Sequence, residues 1–530
     1  MGEATNERPT IEDARASLAE HFGYQNFRAG QERIIQAVLD GRDAMAVMPT
    51  GAGKSVCYQV PASVLGGLTL VVSPLISLMA DQVHALKQAG IRGSFYNSTL
   101  KPHVRPEVLR RALAGWYDLM YVAPERLADP DFRDFAAKAN VPLIAVDEAH
   151  CVSQWGKDFR PAYQEIAGFV SSLPVRPPVV ALTATATGRV QQDVRNLLGL
   201  QDPVVEISGF DRPNLLLHSY ELTPKKRELW TKNYVLRHPN DVGIVYATTR
   251  KKVDDIAEML RDEGVRVAAY HAGMSDADRT KAQSAFVNDD VQVMVATNAF
   301  GMGIDKSNVR YVINCGMPQT LEEYYQEAGR AGRDGEVSEC YLLWSRGDIR
   351  TCHFFIDNTE FAPDMSWDEQ NLLRKHRERL LGEMIGYAMS TSCLRARVLR
   401  YFGQRLEVGV DGCGGCSGCL DETPATYLRV ERASKAVEKL REPVRRGFAD
   451  DDDVWVHDGA DEELFQRLRV LRKTLADEAH VPPYVVFSDR TLRAMVRRRP
   501  RTQEELLEVP GVGEVKLERY GQVFLDELAS

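Results

Sequence analysis

Two series of short, unbroken apolar runs constrain this chain more than any other feature. The first lies between Gly41 and about Leu200 and reads "DAMAVM", "LTLVVS", "DLMYVA", "PLIAVDE" and "PVVALTAT". The second begins after about Phe210 and reads "VGIVYATT", "VRVAAYH", "VQVMVAT" and "VRYVINCG". A strand with one wet face alternates apolar and polar residues, whereas a parallel strand covered on both faces is apolar throughout. Amphipathic stretches separate the runs, so the expected fold class is α/β: two tandem domains with parallel sheets. "GFDRPNLLLHSY" (209–220) reads as the connection between them. A chain of 530 residues is too long for one core and calls for several domains.

Composition narrows the class. Hydrophobic residues at 44% and charged residues at 27% are those of a soluble globular protein. The N-terminus has no apolar h-region, and no run approaches the roughly 20 apolar residues of a membrane span, so an intracellular, cytoplasmic protein with no membrane partner is expected. Cys57, Cys151, Cys315, Cys340 and Cys352 are scattered singly, as where thiols stay reduced. A net charge of -9 excludes a uniformly basic surface, so any nucleic-acid binding must be local.

The stretch "MAVMPTGAGKSVCYQVP" follows the strand, glycine turn and helix order of a phosphate-cradling loop, although G-x-x-x-x-G-K-S/T would place a glycine at Met48. Thr50, Gly51, Ala52 and Gly53 would turn backbone N–H groups toward phosphate at a helix N-terminus. Lys54 would place its charge on the β- and γ-phosphates, and Ser55 would offer a hydroxyl to Mg²⁺. "LIAVDEAH" ends a strand in two carboxylates at the edge where open α/β sheets bind ligands. Asp147 suits Mg²⁺ and Glu148 suits the attacking water, although such a pair alone is usually a helix cap. In "YYQEAGRAGRDG", Arg330 and Arg333 are three apart on an expected helix, and a guanidinium on the γ-phosphate can be worth about 10³ to 10⁵ in rate. The bland alternative is a solvated basic helix. Hydrolysis at a site completed by both domains would be coupled to domain motion.

"MPTGAGKS", "VVSPLISLMADQV", "YVAPERL", "VDEAHCVSQWGKDFRP", "ALTATAT", "VYATTRKKVD", "VMVATNAFGMGIDKSNVRYVI" and "QEAGRAGRDG" occur in the order seen in superfamily 2 helicases. From about Phe22 onward the chain most closely resembles the RecQ family of DNA helicases, in which the position of Met48 is not normally glycine. The resemblance implies two RecA-like domains, at 1–208 and 209–346. A zinc-binding module at 347–421, a linker with a short helix at 422–453 and an all-α HRDC domain at 454–530 would follow. It implies an ATP- and Mg²⁺-dependent 3′→5′ DNA helicase of recombination and repair, acting as a monomer on single-stranded and tailed duplex DNA in the bacterial cytoplasm or nucleoid. Tyr24, Arg28 and Gln31 carry over as the base site, although Tyr24 also reads as a core aromatic, and the Gln31 amide suits adenine's edge. Gln326 joins Arg330 and Arg333 in the catalytic set. Trp155, Phe159 and Arg160 fall in the family's aromatic-rich loop, where each stacked base is worth about 1 to 3 kcal/mol. Lys157 stands where a histidine is expected. Ser73, Arg126, Arg250 and Thr297 are implied further DNA contacts.

Cys393 and the run Cys413, Cys416, Cys419 could close a tetrahedron around Zn²⁺. The C-x₂-C-x₂-C run also resembles an iron–sulfur segment, but the fourth C-P is absent, and the family resemblance favours zinc. The family's winged helix does not fit "LDETPATYLRVERASKAVEKLREPVRRGFADDDD", whose basic helix either binds phosphate or packs on the module. In the last segment Ser488 is an expected cap, and Thr502 with Glu505 an expected capping box. The Pro510–Gly513 turn could present amides to phosphate with Lys516 and Arg519 nearby, or the bundle could contact protein or the motor domains. Two other functions stay open: an RNA helicase or duplex translocase with weak unwinding, and a nucleic-acid-binding scaffold with an inactive ATPase.

Overall fold

The apolar runs become strands. The structure is a computed structural model that describes residues 8–155, 159–300, 306–359, 361, 365–406, 412–420, 422–428, 459–479 and 481–529. The chain divides into two units, Met1–Phe210 with Glu463–Ser530, and Asp211–Glu462.

The first unit holds β1 (Ala44–Val47), β2 (Thr69–Val72), β3 (Gly93–Tyr96), β4 (Leu119–Val122), β5 (Ile144–Val146), β6 (Val179–Thr183) and β7 (Val204–Ile207). They form one parallel sheet in the order β3-β4-β2-β5-β6-β1-β7. Every residue of β1, β2, β4, β5 and β6 is buried, which is why their sequences show no alternation. β3 and β7 fall outside the expected runs because they are edge strands with half-exposed side chains. On one face Ile34, Met48, Val71, Met79, Tyr121 and Leu182 share a core. Helix α1 (Ile11–Phe22) opens with a Thr10/Asp13 capping box and joins α2 (Gln31–Leu39) and α3 (Val56–Val64) through Ala14, Leu18, Ile35 and Val60. Helix α4 (Ile76–Gln88) follows β2.

The C-terminal part of this unit is all-α, with helices Gly459–Glu478, Pro483–Val486, Asp489–Arg498, Gln503–Leu507 and Glu514–Ala529. Leu468, Phe487, Leu492, Met495, Leu506 and Phe524 are buried in it. Buried Arg472 pairs with Asp489 at 2.7 Å and donates to the Phe487 carbonyl, so the charge is compensated. Ser488 caps its helix as expected. Thr502 accepts from the Glu505 N–H, but the Glu505 carboxylate reaches the Arg501 N–H instead of that of Thr502, leaving the capping box half formed.

The second unit holds β8 (Leu215–Glu221), β9 (Val242–Ala247), β10 (Val267–Tyr270), β11 (Val293–Ala296), β12 (Val309–Cys315) and β13 (Ser338–Trp344), parallel in the order β10-β11-β9-β12-β13-β8. The stretch expected as a connection therefore carries β8, an edge strand whose partner β13 lies more than a hundred residues away. β13 also escaped the periodicity because Glu339 interrupts it; that carboxylate takes the hydroxyls of Tyr234 and Tyr341. Trp230, Tyr234, Tyr311 and Tyr341 form an aromatic core, with Trp230 and Tyr234 stacked at 5.2 Å. The far side of β8 is covered by the cysteine-rich segment: the Leu217 N–H donates to the Gly415 carbonyl, and Arg395 donates to Asp211, Arg212 and Leu215. The linker 422–453 is described only over 422–428, which includes the short helix Ala425–Leu428; the rest of it lies outside the described residues, as do Lys157 and the basic helix expected beyond residue 430. Among the described residues no helix is long and apolar enough to cross a membrane.

Candidate functional site

Strand order brings the phosphate loop and the carboxylates to one edge. β1 and β5 both pair with β6, so the segments leaving their C-terminal ends lie two strands apart. From β1 the chain turns through Gly51 and Gly53, both at positive φ, into α3. The Lys54 ammonium donates to the Met48 carbonyl at 3.2 Å, and the Ser55 side chain makes no cap hydrogen bond. Met48 itself is fully buried in the core, so this position contributes packing where the common pattern has glycine.

From β5 come Asp147 and Glu148. Burial first, and the Glu148 charge second, push the Asp147 carboxyl well above the usual carboxylate range, while Lys54 opposes the shift. Glu148 takes a left-handed backbone with φ 47°, and its carboxylate lies 3.3 Å from Nδ1 of buried His150. The same His150 nitrogen lies 2.9 Å from the Thr183 hydroxyl at the end of β6, and that hydroxyl donates to the Thr185 carbonyl. His150, Thr183 and Thr185 thus tie the carboxylate turn to the next strand. Their part in the site is not visible in sequence, because its signal is a contact across strands and not a spacing. Tyr163, donating to the Asp147 carbonyl at 2.8 Å, was missed for the same reason.

Two of the residues expected at the base, Arg28 and Gln31, sit against the phosphate loop. Arg28 donates to the Gly51 carbonyl at 2.5 Å, and Gln31 donates to the carbonyls of Ala52 and Gly53, both at 3.0 Å. The Gln31 side-chain oxygen accepts from the Arg28 N–H at 2.8 Å. Tyr24 is 41% exposed, which removes the core-aromatic alternative. Any change at Arg28 or Gln31 is therefore felt directly by the turn that would hold phosphate.

Further along the same edge lie the expected nucleic-acid contacts of this unit. Ser73 follows β2 and is buried, with its hydroxyl accepting from the Leu75 N–H. Arg126 follows β4 and lies 3.7 Å from Asp129. Arg160 donates to the Pro74 carbonyl at 3.3 Å, joining the aromatic loop to the Ser73 segment. Trp155 is half-buried, with the Arg189 guanidinium 3.4 Å from its ring centroid, and its N–H donates to Ser153, which in turn donates to Asp193. Phe159 is half-buried nearby in sequence. Arg189 and Asp193, one turn apart on the helix Gly188–Leu197, are supports that spacing alone could not reveal.

In the second unit the arginines depart from expectation. The helix Leu321–Ala328 carries Gln326 but stops at Gly329, so Arg330 and Arg333 stand on the turn that follows and not on one helical face. Arg212 holds this turn by donating to the carbonyls of Gly329, Ala331 and Gly332, and Arg310 grips Asp334 with both carboxylate oxygens within 2.7 Å. Arg330 is 7% exposed, and its Nε and Nη1 have no hydrogen-bond partner. A buried guanidinium with unused donors is costly unless an anion completes it. Arg250 opens the helix Arg250–Asp262 after β9, and Thr297 follows β11, so these two lie at the ends of adjacent strands.

Cys393, Cys413, Cys416 and Cys419 come together with their Sγ atoms all within 4.8 Å of one another. The N–H groups of Leu394, Ala396 and Gly415 donate to the sulfurs of Cys416, Cys393 and Cys413, which suits thiolates and fixes their lone pairs. Four sulfurs at this separation fit a tetrahedral ion with no open position, so the group they would hold is structural. In contrast, burial pushes the thiols of Cys57, Cys340 and Cys352 up to about 12, which leaves them inert.

Comparison with known proteins agrees with this geometry. A DEAD/DEAH box helicase family model matches residues 28–194, and one for the helicase conserved C-terminal domain matches 225–335. RecQ zinc-binding and HRDC domain models match 346–420 and 461–528. The ATP-dependent DNA helicase RecQ of Bacillus subtilis is 39% identical over 593 aligned residues, covering 97% of this chain and 98% of the relative. Its namesake in Haemophilus influenzae is 37% identical over 609 residues, covering 98% and 96%. Both alignments are longer than the 530-residue chain, so these relatives carry residues with no counterpart here. A solved structure of Mss116p bound to single-stranded RNA and AMP-PNP shares the fold at a TM-score of 0.55 and 15% identity, covering 74% of this chain and 88% of that one. With two parallel-sheet RecA-like domains, a four-cysteine module and a helical C-terminal domain, the chain belongs to the RecQ helicase family.

Proposed function

We propose that the chain is an ATP-dependent DNA helicase that moves 3′→5′ along single-stranded DNA as a monomer and separates tailed duplexes in recombination and repair. The observation that carries this reading is the continuity of one sheet edge. The carboxylates that suit hydrolysis, Asp147 and Glu148, are followed within one short segment by Trp155; His150 bonds that segment to Thr183 at the end of β6, the Trp155 N–H bonds it through Ser153 to Asp193 on the helix Gly188–Leu197, and Arg160 bonds it to the Pro74 carbonyl after β2.

In this reading Lys54 leaves the Met48 carbonyl to neutralise the β- and γ-phosphates, and the N–H groups of 50–55 cradle them. Ser55 and Asp147 would hold Mg²⁺, which neutralises developing phosphate charge. Glu148 orients the attacking water and takes its proton. Arg330 and Arg333, with Gln326, supply charge and hydrogen bonds to the γ-phosphate as the bond to the leaving oxygen breaks. Tyr24 stacks on adenine while Gln31 and Arg28 exchange loop carbonyls for the base edge. On the DNA side Trp155 and Phe159 stack on bases, and Ser73, Arg126, Arg160, Arg250 and Thr297 meet the backbone. The four cysteines would hold Zn²⁺ as a cross-link of their module onto β8.

The test is ATPase and unwinding measured side by side on tailed DNA and RNA duplexes of both polarities. Unwinding of 3′-tailed DNA with ATP is expected. Preference for RNA would select the RNA-helicase reading, and loss-free behaviour of Lys54→Ala would select a scaffold with an inactive ATPase.

A further inference from the structure

The turn expected to offer its amides to phosphate is already engaged. α1 ends at Gly23, which adopts a left-handed backbone with φ 72° and returns its N–H to the Ala19 carbonyl at 3.0 Å. Against this end sits the Pro510–Gly513 turn, with the Gly511 N–H donating to the Gly23 carbonyl at 3.4 Å. The approach is close enough to exclude side chains from both partners. A Cβ on Gly23 would lie 2.7 Å from the Gly513 nitrogen, and one on Gly513 would lie 3.0 Å from the Glu20 carbonyl oxygen. The C-terminal end of α1, with its outward carbonyls, thus faces the N-terminal end of the helix Glu514–Ala529, an arrangement in which the two helix dipoles attract.

A second contact lies one turn along that helix. Arg519 donates to the Gln88 side-chain oxygen at 2.5 Å, and the Tyr520 hydroxyl lies 3.4 Å from the same atom, at the last residue of α4. His21 bonds the Ala89 carbonyl at 2.7 Å, locking the two receiving helices together beneath the bundle. Gly23 is the residue before Tyr24, and the loop it starts runs directly to Arg28 and Gln31, whose side chains hold the phosphate loop.

We infer that the C-terminal bundle is an intramolecular partner of the first α/β domain, seated on the end of α1, and that this seat fixes the Gly23–Gln31 loop for nucleotide binding. The inference rests on the assignment of Tyr24, Arg28 and Gln31 to the base. The Gly511 N–H and Arg519 are used on protein in this seat, so DNA phosphate and domain 1 compete for them.

The test uses the full-length chain with Arg519→Glu, Gly513→Val and the exchange Gln88→Lys with Arg519→Glu, reading amide hydrogen exchange over residues 22–31 together with KM for ATP and kcat. Arg519→Glu and Gly513→Val are expected to speed exchange in that segment and raise KM about fivefold with kcat nearly unchanged, and the charge exchange is expected to restore both. Unchanged exchange at 22–31 in Arg519→Glu, a surface change that leaves the bundle's own core intact, would overturn the seat. Faster exchange with unchanged KM would overturn its link to nucleotide, as would weakened single-stranded DNA binding at unchanged KM. Gln31→Ala measured alone separates the two readings: if it leaves the preference for ATP over GTP intact, the base assignment fails whatever the bundle does.

Discussion

Lys54 donates to a carbonyl of the phosphate loop's own strand end, and Arg330 buries two unused donors that an anion would complete. Lys54→Ala should lower the ATPase rate by about a hundredfold or more, the scale of losing one charge-stabilising donor. Arg330→Ala should do the same with little change in nucleotide affinity, because in the proposed function its contact would strengthen in the transition state. Trp155 gives a different signature. Its ring is flanked by Arg189, and its backbone is pinned through Ser153 to Asp193, so Trp155→Ala would remove the proposed stacking platform and leave that backbone tie in place. The expected outcome is loss of DNA stimulation with basal ATPase retained, read in one assay with and without oligonucleotide. Equal loss of both rates would contradict the assignment.

At the scale of elements, the cysteine module and the C-terminal bundle carry separate expectations. The module is joined to β8 by the Leu217 N–H and by Arg395, and a metal ion held by the four cysteines at its centre would do what a larger core otherwise does. Cys416→Ser should abolish bound zinc by elemental analysis and open residues 346–420 to proteolysis; iron in the wild-type protein would overturn the zinc assignment. In the bundle, burial lowers the Lys516 ammonium to about 8 from its ordinary value. Between about 8 and the unfolded value the unfolded chain keeps a proton that the folded one has released, so this group adds stability as pH rises through that window. Wild type should therefore gain stability relative to Lys516→Met as pH rises, measured by denaturant unfolding at matched pH; a constant gap would contradict the burial of this amine.

Across the whole molecule, what sequence made legible was whatever is local or apolar throughout. The buried central strands, the loop from Thr50 to Ser55, Asp147–Glu148 and the four cysteines all announce themselves by run length or spacing. What escaped depended on distant partners. β8 hid in an apparent linker because its pairing with β13 is remote in sequence, and β13 hid because Glu339 breaks its run. Arg330 and Arg333 read as helical until Gly329 ended the helix, and His150 with Thr183 had no spacing to betray a contact between strands. In the proposed function, the segment that carries both the carboxylates and Trp155 is where ATP hydrolysis would be coupled to DNA. The most direct test of that coupling is the ATP hydrolysis rate with and without a single-stranded DNA oligonucleotide, on wild type and Trp155→Ala together. A large stimulation in wild type that Trp155→Ala loses is predicted; a rate indifferent to DNA in the wild-type protein would contradict the account.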